Sequence, residues 1–295
     1  MALSRIALIG LGAMGLPMAI NLAKAGFSVC GYDLRPESRA ALAGAGGTSA
    51  ESPAAAAEGA DALLLMVVNA AQAENVLFAQ GGLDALKSDG LVALMATCPP
   101  KAVEQLAEHV STSGRRFVDA PVSGGVVGAE AGTLTIMVAA AAGALAALRP
   151  VFEALGDRIF HVGERPGQGA TVKAVNQLLC GVHIAAAAEA LALAGRVGVD
   201  LDVVLEILSG SSAASWMLRD RGPRMLEDVP RVTSAVDIFV KDLGIVLEAG
   251  RGAGAALPLA ALAHQLFVST SGRGDGTADD SQVIRAYRLL NGEGS

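Results

Sequence analysis

The sequence predicts an α/β domain, built on a doubly wound and mostly parallel sheet, followed by an all-α domain. Three observations predict it. Short apolar runs alternate with helix-like stretches through the first half of the chain. The pattern then meets a turn-rich break, Glu164-Arg165-Pro166-Gly167-Gln168-Gly169. Beyond the break only helical periodicity remains. A length of 295 residues suits two domains, and their expected extents are 1–165 and 166–295.

In chain order, strands are predicted at 6–9, 28–32, 62–68, 91–95, 117–119, 133–138 and 159–161. Helical segments separate the earlier ones, and strands alternating with helices predict parallel pairing with both sheet faces covered. After the break a helix is predicted from 170 to about 197, with no interruption stronger than Gly181 and Gly195. At the rise of an α-helix it would run about 40 Å, enough to be the spine of a second domain. Further helices are predicted at 201–208, 236–249, 258–270 and 281–290, and 272–280 reads as a polar, flexible loop. Residues 131–148 carry no charge, nearly a membrane-spanning length. Their alanine, glycine and threonine read instead as a strand running into an alanine-rich helix, so no membrane partner is expected.

Composition narrows the function. The chain is 52% hydrophobic and only 3% aromatic, which suits small residues packing helices closely on a sheet. A net charge of −7 argues against nucleic acid as a partner, because phosphate backbones need a basic surface. A small anionic substrate needs only a few local cations and stays open. Cys30, Cys98 and Cys180 have neither metal-ligand spacing nor the pattern of a disulfide framework, so a reducing cytoplasm is expected, and the first strand begins with no signal peptide before it. His109, His161, His183 and His264 show no metal-ligand spacing and read as packing or surface residues. Cys98 reads as a small apolar filler, and Ser123 is not in a hydrolase nucleophile elbow. Alanine-rich helices in an apolar C-terminal half suggest burial between subunits, in a homodimer or homotetramer.

Gly10-Leu11-Gly12-Ala13-Met14-Gly15 is a G-x-G-x-x-G in its required context: a strand before it, a helix after it, and a second strand ending at Asp33. Gly10 permits the tight turn, Gly12 a close approach of the backbone to a pyrophosphate, and Gly15 the packing of helix on strand. The amides around Ala13 and Met14, with the helix dipole, would hold the phosphates. This is the fingerprint of a Rossmann-type dinucleotide domain. A carboxylate at Asp33 would accept from the adenosine ribose hydroxyls and repel a 2′-phosphate, favouring NAD over NADP. Arg35 could stack on adenine or meet such a phosphate. The competing reading is a glycine-rich turn without a ligand.

Three further segments carry candidate chemistry. In Asp119-Ala120-Pro121-Val122-Ser123-Gly124-Gly125, a serine and two glycines expose a hydroxyl and amides suited to a carboxylate, or form an ordinary turn. Lys173, Asn176 and Gln177 share one face of the long helix. A lysine there can exchange a proton with a substrate oxygen if burial and a neighbouring positive ring lower its pKa. Alone, it reads more readily as a solvated helix lysine, since most helix lysines are surface residues. Lys241, in Lys241-Asp242-Leu243, could add a second cation near an acid substrate or the cofactor, or be a paired surface lysine.

Together these segments, in order and spacing, resemble the β-hydroxyacid dehydrogenase family of 3-hydroxyisobutyrate dehydrogenase-like enzymes, over nearly the whole chain. The resemblance implies that Lys173 is the general acid/base, that Ser123, Gly124 and Gly125 bind the substrate carboxylate, that Asn176 holds the substrate oxygens and that Lys241 helps close the site. It also implies that Val67, Val68 and Asn69 line the cofactor and that Thr97 stands beside its nicotinamide end. The stretches 176–190, 214–218 and 234–244 look most like the L-threonate dehydrogenase branch, implying oxidation of L-threonate to 2-dehydro-L-erythronate with NAD. There Ser215 and Trp216 would either shape the sugar-acid pocket or form a helix end and its core anchor.

The chain departs from the family pattern at Leu94-Met95-Ala96-Thr97, where Asp-x-Ser-Thr is common, at Ser234, where phenylalanine is frequent, and in the alanines after Val138. Alternatives on the same scaffold are a 3-hydroxyisobutyrate dehydrogenase, a tartronate semialdehyde reductase, an NADPH-dependent reductase of glyoxylate and succinic semialdehyde, or an imine reductase. An alternative of another class is a non-catalytic nucleotide-binding module. Lys173 weighs against the imine reductases and the inert module, and Tyr32-Asp33-Leu34-Arg35 against the NADPH users. A 6-phosphogluconate enzyme would need a larger helical domain.

Overall fold

The computed structural model describes residues 3–292, which fall into two compact units, one ending at Lys173 and the other beginning at Ala174. In the first, strands and helices alternate as β1 Arg5–Ile9, α1 Gly15–Lys24, β2 Ser28–Tyr32, α2 Pro36–Gly44, β3 Thr48–Ser49, α3 Pro53–Ala57, β4 Ala62–Leu65, α4 Ala70–Glu74, α5 Gly82–Ala85, β5 Leu91–Leu94, α6 Pro100–Thr112 and β6 Arg116–Asp119. Then come β7 Val122–Ser123, α7 Gly125–Ala131, β8 Thr135–Ala139, α8 Ala142–Glu153 and β9 Arg158–Gly163. The helix α9, Gln168–Arg196, runs on into the second unit, where α10 Leu201–Gly210, α11 Trp216–Met225, α12 Val236–Ala253, α13 Pro258–Thr270 and α14 Ile284–Leu290 follow.

Strands β3, β2, β1, β4, β5 and β6 lie side by side in that order, all parallel. Sequence order reverses between β1 and β4, so the sheet is doubly wound, and ligand crevices of such sheets open beyond the strands' carboxyl ends at that reversal. The central strands are apolar on both faces because both are covered: Ile6, Leu8, Leu64 and Ala93 face one core cluster, Ala7, Ile9, Leu63, Leu65 and Leu94 the other. Beyond β6 the sheet is completed by β8, β7 and β9, and two-residue β7, like β3, is too short to read from sequence. Of these, β7 matters for the site. Asp119 pairs with Ala139, and Val122 and Ser123 pair with Ile136 and Thr135, so β6 and β7 form one antiparallel ladder along β8 in a single register.

In the second unit, α9 contributes Cys180, Ile184, Ala188 and Leu191 to a core shared with Leu218, Met225, Phe239, Leu243 and Phe267. Gly181 lets α12 come close, since a Cβ there would lie 2.8 Å from the Leu243 side chain. At 29 residues α9 is also long and apolar enough to cross a membrane by composition. It is a different segment from 131–148, which forms the end of α7, then β8 and most of α8. One side of α9 is packed into this core.

The expectation of a flexible loop at 272–280 is corrected. Asp279 and Asp280 are buried. Asp280 receives Nε and Nη2 of Arg221, both at 2.9 Å, and Asp279 receives Nη1 of Arg224 at 3.0 Å. Asp280 also donates its amide to the Ser234 carbonyl at 2.7 Å, and Val236 and Asp237 donate theirs to Ala278 and Gly276 at 2.9 and 3.0 Å. The polar residues are there to pair internally and hold the start of α12. Helix α11, missed from sequence, supplies the two arginines.

Candidate active site

The glycine turn follows β1. Gly10 has φ +95°, and a Cβ on it would lie 2.4 Å from the Met66 carbonyl oxygen, so the turn and the end of β4 press together as only glycine permits. Gly15 sits where a Cβ would be 1.8 Å from the Gly10 carbonyl oxygen; its tightest neighbour is the turn itself rather than the strand. Gly12 differs. The nearest atom to a Cβ there is the Arg35 Nη2 at 3.5 Å, an ordinary contact. Packing within the protein does not require glycine at that position. The Met14 side chain makes no capping bond to α1, so the first-turn amides face the turn without a side-chain acceptor from that residue.

Asp33 follows β2 and is joined to Arg35. Its Oδ1 accepts the Arg35 backbone amide at 2.9 Å and Nε at 3.0 Å, and Oδ2 accepts Nη2 at 3.3 Å. Nη2 also donates to the Leu11 carbonyl at 3.2 Å, tying the pair to the glycine turn. Burial works to raise the Asp33 pKa, but the Arg35 bonds and charge outweigh it and hold the carboxyl below its ordinary range.

Val67, Val68 and Asn69 follow β4, beside Gly10. Asn69 caps α4, accepting the Gln72 amide at 2.9 Å, while Gln72 accepts the Val68 amide at 2.9 Å. This reciprocal bond fixes the segment, and the Asn-x-x-Gln spacing that announces it is a capping pattern sequence reading could have used. Thr97 lies beyond β5, next to Cys98, which is buried in the core as a small filler. The parallel strands thus deliver the predicted cofactor residues Gly10 to Gly15, Asp33, 67–69 and Thr97 to the carboxyl edge of one sheet.

Ser123 ends β7, and Gly124 and Gly125, with φ of +132° and +62°, begin the turn into α7. Both glycines hold conformations that other residues rarely adopt. Lys173 lies just past the first turn of α9 and is 6% exposed, which removes the solvated-lysine reading. Asp119, at the end of β6, accepts the amides of Gly167 at 2.9 Å and Ala170 at 3.0 Å. Burial pushes its carboxyl up to about 6, against the opposing pull of the Ala170, Gly167 and Gly169 amides.

Within the second unit, Gln177 is buried and donates Nε2 to Asp242 Oδ2 at 2.6 Å. The other oxygen of Asp242 is 2.7 Å from the Lys241 ammonium, an ion pair by proximity rather than by hydrogen-bond angle. The Lys241-Asp242 dipeptide is therefore linked to α9 one turn beyond Lys173. Asn176 is half-buried on that helix. Ser215 caps α11 through the Leu218 amide at 3.0 Å, so it is a helix end. Trp216 is 53% exposed, its ring 5.8 Å from the Arg221 guanidinium, so it is not a core anchor. His161 and His264 bond backbone carbonyls and His109 packs edge-on against Phe78. Among the described residues no cluster suited to a metal occurs.

Comparison with known proteins agrees with this architecture. The family model described as the NAD binding domain of 6-phosphogluconate dehydrogenase matches residues 5–163. The one described as NAD-binding of NADP-dependent 3-hydroxyisobutyrate dehydrogenase matches residues 167–287. An L-threonate dehydrogenase of Cupriavidus necator is 45% identical over 96% of this chain and 95% of its own length. One of Escherichia coli is 41% identical over 96% and 94%. The crystal structure of a 3-hydroxyisobutyrate dehydrogenase from Salmonella typhimurium superposes with a TM-score of 0.91 at 39% identity, over 96% of this chain and 99% of that one. A doubly wound sheet with a glycine turn at its carboxyl edge, joined to a helical unit of this kind, is a nicotinamide-dependent oxidoreductase. More particularly, the chain belongs to the β-hydroxyacid dehydrogenase family, the 3-hydroxyisobutyrate dehydrogenase-like enzymes.

Proposed function

We propose that the protein oxidises a small hydroxy acid with NAD, and that the substrate is L-threonate, converted to 2-dehydro-L-erythronate. The observation that carries the reading is the burial of Lys173. An ammonium is removed from water only where its surroundings repay the cost, so a lysine held inside the protein is a candidate for proton exchange with a bound substrate. In this reading Lys173 takes the proton of the substrate hydroxyl, Ser123, Gly124 and Gly125 hold the carboxylate, and Asn176 orients the hydroxyl oxygen. Lys241, steered by Asp242, adds a cation beside substrate and cofactor. The nicotinamide ring, when bound, supplies the acceptor for hydride.

The glycine turn fits that cofactor. Gly12 has room for a Cβ within the protein, so its glycine is best explained by the approach of a pyrophosphate. Ala13, Met14 and Gly15 would present their amides to it, and Val67, Val68, Asn69 and Thr97 would line the dinucleotide. NAD is preferred to NADP because Asp33 places a carboxylate at the ribose position and already neutralises Arg35. The substrate assignment draws on the L-threonate dehydrogenases at 41–45% identity. It is tested by following reduced-nicotinamide absorbance with threonate, 3-hydroxyisobutyrate, glycerate and, in reverse, tartronate semialdehyde, each with NAD(H) and NADP(H). Turnover of 3-hydroxyisobutyrate but not threonate would move the substrate and leave the family standing.

The protein is further proposed to act in the cytoplasm, in keeping with cysteines that form no disulfide. It is proposed to assemble as a homodimer or homotetramer. Val175, Leu179, Leu193, Ile207 and Leu262 are exposed apolar side chains of the helical unit, more than isolated surface residues would explain. Light scattering coupled to size exclusion decides the state.

A further inference from the structure

The reaction proposed above makes no use of Asp119, although it is the acid of the 119–125 motif and is 1% exposed. Its carboxylate is spent on the start of α9. Helices are usually capped by the residue just before them, but here that residue is Gly167, which has no side chain and stands at φ +90°. The capping oxygen comes instead from 48 and 51 positions earlier in the chain, through Oδ2 to the Gly167 and Ala170 amides at 2.9 and 3.0 Å. The same junction is pressed from the other side. A Cβ on Gly169 would lie 2.7 Å from the Met137 carbonyl oxygen and 2.9 Å from that of Asp119. The backbone of Asp119 is itself in register on β8, in the ladder that ends at Ser123.

One residue therefore belongs to two parts of the site. Its backbone shares a ladder with the serine expected to hold the substrate carboxylate. Its side chain grips the helix three residues before the lysine expected to move the proton. We propose that Asp119 is a positioning residue, which sets the axial position of Lys173 relative to the Ser123–Gly125 turn by holding the Gly167 and Ala170 amides. The proposal rests on the roles given above to Lys173 and to that turn. A slip of one residue along a helix displaces a side chain by about 1.5 Å, and a misplacement of about 1 Å in a reacting group lowers turnover by about a hundredfold.

Three variants of the full chain test it: Asp119→Ala, which removes the acceptor; Asp119→Asn, which keeps one; and Gly169→Ala, which retains the carboxyl group but crowds the junction, its Cβ 2.7 Å from the Met137 carbonyl oxygen and 2.9 Å from Asp119 Cγ. Hydrogen exchange at the Gly167 and Ala170 amides reads the cap without reference to activity, and is expected to quicken in Asp119→Ala. Cofactor affinity, read by fluorescence, should stay within about twofold in all three. The value of kcat is expected to fall about a hundredfold in Asp119→Ala and less than about tenfold in Asp119→Asn, with KM moving less than kcat. Gly169→Ala should lower kcat as Asp119→Ala does. A folded Asp119→Ala with faster exchange and near-normal kcat overturns the role. So does a loss of kcat that only tracks the folded fraction, with Asp119→Asn no better than Asp119→Ala. A wild-type chain inert toward every hydroxy acid overturns the functional reading and this role with it, whereas an active wild type with unimpaired variants overturns this role alone.

Discussion

Replacing Asp33 with alanine should turn the cofactor preference, and the geometry sets the size of the effect. The two oxygens of Asp33 are unequally used. Oδ1 accepts two bonds from Arg35, at 2.9 and 3.0 Å, while Oδ2 accepts only the longer one at 3.3 Å. Oδ2 is thus the oxygen with capacity left for a ribose hydroxyl. A hydrogen bond to a charged group contributes about 1.5–3 kcal/mol, and with one oxygen available the lower end applies, so kcat/KM with NAD should fall about tenfold. The same change releases Arg35, whose side chain is 53% exposed. A guanidinium meeting a 2′-phosphate in so open a setting is worth on the order of 1 kcal/mol, and losing the Asp33 charge removes a repulsion of similar size. The ratio of kcat/KM for NAD over NADP should therefore drop by about two to three orders of magnitude. The assay is steady-state turnover with both cofactors at matched ionic strength. A ratio that moves less than about threefold, in a variant with an unchanged melting temperature, would refute the argument that this pair reads the ribose.

Lys173→Ala should keep cofactor affinity and lower kcat by orders of magnitude, since the loss of a general acid/base costs about 10²- to 10⁴-fold; near-normal turnover would remove its assigned role. Asp280→Ala leaves the buried Arg221 guanidinium without its principal partner and should lower unfolding stability by about 3–5 kcal/mol in urea titrations; a loss under about 1 kcal/mol would mean the pair is hydrated. Asp119 supplies a pH signature. With a folded pKa of about 6 against an ordinary 3.8, the folded state holds the proton more tightly, so stability should fall as pH rises from about 4 to 6 and then level off, by about 3 kcal/mol in all. In Asp119→Asn that component should vanish, and an unaltered stability–pH curve in the variant would assign it elsewhere.

What was legible in the sequence was what is decided locally. The glycine turn could be read because Gly10 and Gly15 each answer a steric demand made within a few residues or by the adjacent strand. Helix 258–270 could be read to the residue because Pro258 opens it. The four ion-paired residues of the second unit could not. Arg221 and Asp280 lie 59 positions apart, and Arg224 and Asp279 lie 55 apart. Nothing near 272–280 distinguishes carboxylates that will be buried from ones left in water, so the segment read as a flexible loop. The short strands β3 and β7 escaped because two residues carry no alternation, and β7 could be recognised only from its register on β8.

Lys173 shows the same limit at the centre of the site. From sequence the spacing to Asn176 and Gln177 puts three polar residues on one helical stripe, and a solvent-facing helix, the commoner case, shows the same as a buried one. What separates the two is what the stripe meets. Lys173 and Gln177 are buried beside Ala174, Cys180 and Ile184, while Val172, Val175 and Leu179 on the same helix are exposed, so α9 is apolar on both sides, unlike an amphipathic surface helix. Hydrophobic burial of Ile184, Ala188 and Leu191 on the same face turns Lys173 and Gln177 inward with them. Specific polar partners add to that hold, and two are visible: Asp119 at the helix start and Asp242 at Gln177. A helix apolar on both sides buries one with its polar residues, held by those bonds, and leaves the other exposed for another surface to cover. The chemistry of the inner stripe and the association expected of the outer one therefore follow from the same rotation of one helix.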